Sequence, residues 1–329
     1  MAKIKVAING FCRTGRSVFK IAQNRSDIEI VAIRTSKNAE QCAYLLKHDS
    51  VYGNYAKAVG TGDKSLFVGD GIISIISDKR TARLPWGDLG VDVLIDVGCA
   101  TDAAELRRHQ TAGAKRVVSL SCCADFETIV MGVNDEAIDV STDIVCGGDA
   151  VVGSVTPVIA VLDQVIGVDA VMIASVGDGC YASKSIRANR LGESDLVAAT
   201  ADYGRVLQAI LPEISSAVGG LSICRRDYGN VGLSTVSLLL HEISSASKVN
   251  DILVHAAREP LYNGILSVTD GELVAEDFRG NSYSATVDAG LTTLVGGRLV
   301  QVSAWYDGEW ASANRLVELA VETGRYIRH

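Results

Sequence analysis

Proline is scarce in this chain, at four residues in 329, and aromatic side chains make up only 5%. No Pro/Ser linker, low-complexity tract or internal repeat marks a boundary, so no repeat array is expected. No run of eighteen or more apolar residues occurs, which excludes an ordinary membrane-spanning helix. Basic runs are missing as well. Thirty-one Lys and Arg stand against thirty-nine Asp and Glu, a formal charge of −8. That balance argues against a nucleic-acid surface and against docking on anionic lipid. The opening MAKIKVAINGF lacks an apolar signal core, so a cytoplasmic protein with reduced thiols is expected. Eight cysteines are present but no C-x-x-C pair, which supports neither a zinc ribbon nor a thioredoxin motif. No metal site is expected.

Glycine is plentiful, at 32 residues, and 48% of the chain is hydrophobic. Both suit an α/β protein with many tight strand-to-helix turns. Ile4 to Asn9 is a short β-prone run that stops at Gly10. Val18, Phe19, Ile21 and Ala22 then recur at helical spacing, and Ile28 to Ile33 is a second β run. Strand, glycine turn, helix and strand in this order form the βαβ unit of a parallel sheet. Val91 to Val97, Val117 to Leu120 and Ile144 to Val145 extend that sheet.

After about residue 150 the pattern changes. A long apolar helix from Ser154 to Val165 is followed by β runs at Ala170–Val176, Val231–His241, Leu291–Val295 and Leu299–Trp305. A last helix, Ser312 to Tyr326, places Leu316, Val317, Leu319, Ala320 and Thr323 on one side. The expectation is a Rossmann-type doubly wound parallel sheet domain plus an α+β domain with a mainly antiparallel sheet. Residues 1–149, completed by the helix 312–329, would form the first, and 150–311 the second.

The turn after the first strand reads Gly10, Phe11, Cys12, Arg13, Thr14, Gly15. It is the dinucleotide pattern G-x-G-x-x-G with cysteine at the middle glycine, where a pyrophosphate approaches the backbone. A Cβ and sulfur there crowd that approach, and a turn that binds nothing is the alternative. The second strand ends in Arg34, Thr35 and Ser36, where such folds usually offer an acid to the ribose hydroxyls. A cation and two hydroxyls suit a 2′-phosphate, so NADP(H) is favoured over NAD(H). A solvated strand end is the plain alternative.

Longer strings carry a resemblance: KIKVAINGF with Arg13, Gly15 and Arg16, then AYLLKHDSVYG (43–53), LPWGDLGVDVLID (84–96), AGAKRVV (112–118) and VMGVND (130–135). EPLYNGIL, VDAGLTTLVGG and WYDGEW with Asn314 and Arg315 continue it. Together they resemble the glyceraldehyde-3-phosphate dehydrogenase family over nearly the whole chain. The resemblance implies the two-domain fold above, a nicotinamide cofactor and a homo-oligomer, a tetramer or dimer. It also implies a cysteine nucleophile and an activating histidine.

Here the sequence departs from the family. Counting from Gly132 and back from Pro157, the nucleophile position is Ala150, and the histidine position is Gly177. Gly308 stands for the asparagine that anchors nicotinamide in the family, and Ser312 for a nearby aromatic. Ser121, Cys122 and Cys123 fall in a loop that borders nicotinamide there. Asp149, Asp178 and Asp202 put carboxylates where substrate phosphate would sit, while Arg225 matches a phosphate-binding arginine. Like charges at short range oppose phosphate binding. The loop between Lys184 and Arg187 is shortened, which weakens the implied tetramer and adenosine pocket.

Replacement chemistry has several candidates. Cys180, beside Asp178, Tyr181 and Lys184, could supply a thiolate. Asp178, Tyr181 or Lys184 could instead relay a proton in a thiol-free oxidoreductase. The carboxylates could also receive a cationic or amino substrate, or be surface charges left by drift. Each cysteine, Cys146 included, reads equally as a small buried hydrophobe. His48, His109, His241, His255 and His329 read as structural or exposed. Two functions stay open: an oxidoreductase on a non-standard substrate using NADP(H) or NAD(H) without the thioester route, and an inactive pseudoenzyme that binds or regulates a partner.

Overall fold

The computed structural model describes residues 3–98, 102–177, 196–200, 203–225 and 230–327. Contacts divide the chain into two compact units. One comprises Met1–Ile129, Asp135–Gly148 and Ser312–His329; the other comprises Val130–Asn134 and Asp149–Ala311.

The first unit is built on strands β1 (Ile4–Asn9), β2 (Ile28–Arg34), β3 (Val59–Gly62), β4 (Ser65–Val68), β5 (Gly71–Ile76), β6 (Val93–Asp96), β7 (Arg116–Ser119) and β8 (Ile144–Cys146). They form one sheet in the order β3-β4-β5-β2-β1-β6-β7-β8. All neighbours from β5 to β8 run parallel. Every residue of β6, β7 and β8 is buried, as a parallel sheet covered on both faces requires. The covering helices are α1 (Arg13–Ala22), α2 (Ala39–Lys47) and α3 (Ala103–Thr111). In α1, Val18, Phe19 and Ala22 are buried while Ile21 is only partly so.

Strands β3 and β4 complete an antiparallel meander with β5 that the sequence pattern does not announce. Their four-residue length and the glycines at 60, 62, 69 and 71 leave too little alternation to recognise. Gly69, at φ +58°, makes the β4–β5 turn, a left-handed position that suits glycine.

In the second unit α4 spans Ala150–Ile166, one turn earlier than its apolar run suggests. Asp149 is the reason: its carboxylate accepts the Val152 N–H at 2.9 Å and caps the helix. An N-cap acceptor satisfies one of the orphan N–H groups and so extends the helix forward. The strands are β9 (Val168–Gly177), β10 (Leu196–Thr200), β11 (Val218–Arg225), β12 (Val231–Leu240), β13 (Leu266–Thr269), β14 (Ala285–Asp288), β15 (Thr293–Val295) and β16 (Leu299–Asp307). Helices α5 (Tyr203–Ile210) and α6 (Ala246–Ala256) accompany them, while α7 (Trp310–Arg325) belongs from Ser312 onward to the first unit. All five residues named on one side of the last helix are buried in α7.

The sheet order is β10-β11-β9-β12-β16-β14-β13, with β15 paired to β16. Pairing is mainly antiparallel, but β11 runs parallel to β9 and β13 to β14. One face packs on α4 through Ile173, Val236, Val300 and Val302. The opposite face presents Met172, Leu221, Leu239, Val295 and Leu299, all exposed. Their alignment on one side follows from the register Met172↔Ser237, Ala174↔Leu221 and Leu239↔Leu299.

Candidate functional site

In the first unit the candidate residues gather at the carboxyl ends of parallel strands. Gly10 leaves β1 with φ +109°, and a Cβ there would meet Val97 Cγ2 at 3.0 Å. A Cβ on Gly15 would lie 2.4 Å from the Gly10 carbonyl oxygen. Both glycines are therefore required by the turn itself. Cys12 is exposed and has φ −71°. Its backbone makes no demand for glycine, so the sulfur bears only on the space above the turn. Phe11 anchors the loop from below, edge to face with Phe19 at 6.4 Å between ring centroids.

Helix α1 begins without a side-chain cap and without an acidic residue in its first turn. By contrast Asn38 caps α2, Asp102 caps α3, Asp149 caps α4 and Ser245 caps α6. Arg13 and Thr14 open α1 and Arg16 follows, its guanidinium 3.4 Å from the Phe11 carbonyl oxygen. Uncapped N–H groups beside arginines suit an anion. This turn therefore fits the pyrophosphate of a dinucleotide.

Arg34 ends β2 turned back upon the fold. It donates to Asn9 Oδ1 at 3.0 Å, to the Asp78 carbonyl at 3.2 Å and to the Lys79 carbonyl at 2.9 Å. Three of its five N–H donors are thus engaged. The Thr35 hydroxyl accepts from the Lys37 N–H at 3.3 Å. Asn9 also donates to Asp96 Oδ1 at 2.5 Å and lies 3.3 Å from His109 Nε2. The Trp86 indole donates to His109 Nδ1 at 3.1 Å. Burial holds the His109 pKa down at about 4, so the imidazole is neutral. Ser121 follows β7, its N–H donating to Ser119 Oγ at 3.3 Å.

In the second unit three of the sequence candidates, Ala150, Gly177 and Gly308, come together around Tyr306. Ala150 is the first residue of α4, and a Cβ on Gly308 would lie 3.7 Å from its methyl group. The Gly308 N–H donates to the Asn230 carbonyl at 2.7 Å. A Cβ on Gly177 would fall 3.1 Å from the Tyr306 hydroxyl and 3.2 Å from Gly232 Cα. Gly232 in β12 pairs with Tyr306 in β16; the tyrosine ring lies over Gly232 and its hydroxyl reaches Gly177. The histidine position of the resemblance is therefore bordered by a buried phenol.

Asp149 has a role that the sequence reading did not give it: its Oδ1 caps α4, accepting the Val152 N–H. Its charge also bears on Tyr203, whose hydroxyl lies 3.2 Å from Ser175 Oγ. Burial first, eased by the Ser175 hydrogen bond and reinforced by the Asp149 charge, pushes the Tyr203 phenol up to about 12. Cys146 ends β8 fully buried, and burial pushes its thiol up to about 12. It stays protonated.

Asp178, Cys180, Tyr181, Lys184 and Asp202 lie outside the described residues, as does the side chain of Arg225. The sequence reading missed Tyr306, Gly232, Asn230 and Tyr203. Gly232 carried a usable signal, since an isolated glycine inside a strand marks a close approach. Among the described residues no group of three or more His, Cys, Asp or Glu is placed to hold a metal ion, and no helix is long and apolar enough to cross a membrane.

Residues 4–103 match the glyceraldehyde 3-phosphate dehydrogenase NAD binding domain, and residues 152–308 match the C-terminal domain of the same family. Glyceraldehyde-3-phosphate dehydrogenase 2 of Bacillus subtilis strain 168 is 33% identical over 99% of this chain and 98% of its own length. The chloroplastic glyceraldehyde-3-phosphate dehydrogenase A of Zea mays is 32% identical, over 97% of this chain and 82% of its own.

Proposed function

The chain belongs to the glyceraldehyde-3-phosphate dehydrogenase family, and from that premise we propose an oxidoreductase that has left the family's thioester chemistry. It would transfer hydride between NADP(H) or NAD(H) and a substrate other than glyceraldehyde 3-phosphate. The observation that carries this reading is Ala150. A methyl group begins α4 beside Gly308, and a methyl group forms no thioester. Gly177 adds no imidazole.

Toward the dinucleotide, the turn from Gly10 to Thr14 and the start of α1 would receive the pyrophosphate. Arg34 and Thr35 would face the ribose, with Arg34 held in place by Asn9 and the carbonyls at 78 and 79. Lys79 and Arg80 follow β5, the strand next to β2. Cations on both strand ends favour a 2′-phosphate and hence NADP(H). Ser121 in the first unit and, separately, Gly308 in the second are proposed cofactor contacts; the nicotinamide accepts or gives the hydride when bound.

Toward the substrate, Ala150, Gly177 and Gly308 offer no reactive side chain, while Asp149 keeps a negative charge at the head of α4. Asp178, Cys180 and Lys184 are the proposed source of proton or thiol chemistry, and Asp202 and Arg225 of substrate contacts. The exposed apolar face of the second sheet supports self-association, with a second copy covering Met172, Leu221, Leu239 and Leu299.

Titration calorimetry with NAD⁺, NADH, NADP⁺ and NADPH tests the reading. Binding of one redox pair below about 100 μM, roughly 5.5 kcal/mol, is expected, with no turnover of glyceraldehyde 3-phosphate. No heat and no thermal shift with any of the four would favour the second reading, a pseudoenzyme with a binding or regulatory role. One observation supports that alternative: most Arg34 donors are tied to the fold, and Cys12 stands where the turn approaches phosphate.

A further inference from the structure

Three thiols converge at the carboxyl edge of the first sheet. Cys122 and Cys123 follow β7, and Cys146 ends β8, the next strand. None is in a disulfide. Cys146 Sγ accepts the backbone N–H of Cys123, so the peptide that joins Cys122 to Cys123 lies against that sulfur. Cys123 and Cys146 belong to one apolar cluster with Leu94, Val117 and Ile144. Cys122 is half-buried, so of the three it is the one that solvent reaches.

We propose that Cys122 and Cys146 form a dithiol that a hydroperoxide converts to an intrachain disulfide. Two observations select this pair over the adjacent cysteines. Consecutive Cα atoms across a trans peptide stand about 3.8 Å apart, short of the roughly 4.4–6.8 Å that a disulfide takes. The Cys123 thiol is also turned toward Asp125, with 3.8 Å between Sγ and Oδ2. Ser119 and Cys146 are register partners on β7 and β8, which brings the chain just beyond β7 alongside the end of β8.

The chemistry has two steps. The Cys122 thiolate attacks the terminal peroxide oxygen; an S–O bond forms, the O–O bond breaks, and the leaving oxygen takes a proton as alcohol or water. Cys146 sulfur then attacks the sulfenic sulfur of Cys122. The S–S bond forms, the S–O bond breaks, and the departing hydroxide takes the Cys146 proton as water. Two thiols are oxidised by two electrons and one hydroperoxide is reduced. No dinucleotide takes part, so the proposal stands apart from the reading above.

The test treats the purified, reduced full chain with hydrogen peroxide and maps unreduced peptides by mass spectrometry. A Cys122–Cys146 linked peptide, reversed by dithiothreitol, is expected. Cys122→Ser should abolish the link, Cys123→Ser should retain it, and Cys146→Ala should leave a sulfenic acid on Cys122 that dimedone traps. Should the buried Cys146 variant fail to fold, the wild-type map and Cys122→Ser decide the matter. A Cys122–Cys123 disulfide, a link to Cys12, or thiols at 122 and 146 that survive peroxide in the folded wild type would overturn the proposal.

Discussion

The ring of Tyr306 rests on Gly232, its cross-strand partner, and a Cβ at 232 would meet Tyr306 Cζ and Oη at 2.4 Å. The tyrosine thereby reaches across one strand to stand beside Gly177. Three strands, β9, β12 and β16, contribute to this contact on the packed face of the sheet. Glycine at 232 is what lets the phenol lie there.

Substituting Gly232→Ala should therefore force the ring aside and destabilise the protein by about 1–3 kcal/mol, the usual range for overpacking. In the background of Tyr306→Ala the same change should cost much less. Urea unfolding of the four proteins in a double-mutant cycle checks this. An additive cycle would deny the contact.

Asp149 should behave as a cap. Asp149→Ala is expected to lose about 1 kcal/mol, while Asp149→Asn, which keeps the acceptor oxygen, should lose only a few tenths. Thermal unfolding of both variants separates the capping role from charge. Equal losses in the two would assign the effect to charge instead.

His109 makes stability depend on pH. Its folded pKa is near 4, below the ordinary 6.5, chiefly because burial disfavours the charged ring. The unfolded chain therefore takes the proton first. Stabilisation is fully present above about pH 6.5 and is lost as pH falls toward 4. The full loss is on the order of 3 kcal/mol from the 1.36 kcal/mol carried by each pKa unit. Urea unfolding between pH 7.5 and 4.5 should show this slope, and His109→Gln should flatten it. Asp27, Asp49 and Glu105, all held below their ordinary carboxylate values, add their own losses at lower pH.

Arg34 joins stability to cofactor choice. Arg34→Ala removes the bonds to Asn9, Asp78 and Lys79 and the cation at the end of β2. NADPH affinity should fall about tenfold, roughly 1.4 kcal/mol, with a smaller change for NADH. Calorimetry on both dinucleotides measures the ratio. An unchanged ratio would mean that the guanidinium serves the fold alone.

The βα turn was legible because Gly10 and Gly15 are demanded locally, by a positive φ and by a helix pressed against the strand end. The parallel strands were legible as apolar runs, and the stripe of α7 as helical spacing. The early start of α4 was available too, since Asp149 three residues before Val152 is an N-cap pattern. The β3–β4–β5 meander was not, its strands being short and rich in glycine. Nor was the parallel pairing of β11 with β9, because distant strands choose partners through packing and not through their own alternation.

By itself the sequence determined the two-unit α/β architecture and the family, and it puts Ala150 and Gly177 at the two places on which the proposed departure from the family's chemistry rests. Those are properties of residue identity, local geometry and spacing along the chain. The tertiary structure alone decided what the candidate residues touch: Tyr306 over Gly232, Gly308 against Ala150, Arg34 folded back onto Asn9, and Cys146 beside the cysteines after β7. Each depends on the register of elements far apart in the chain, and a one-residue shift of a strand would turn its side chains to the other face.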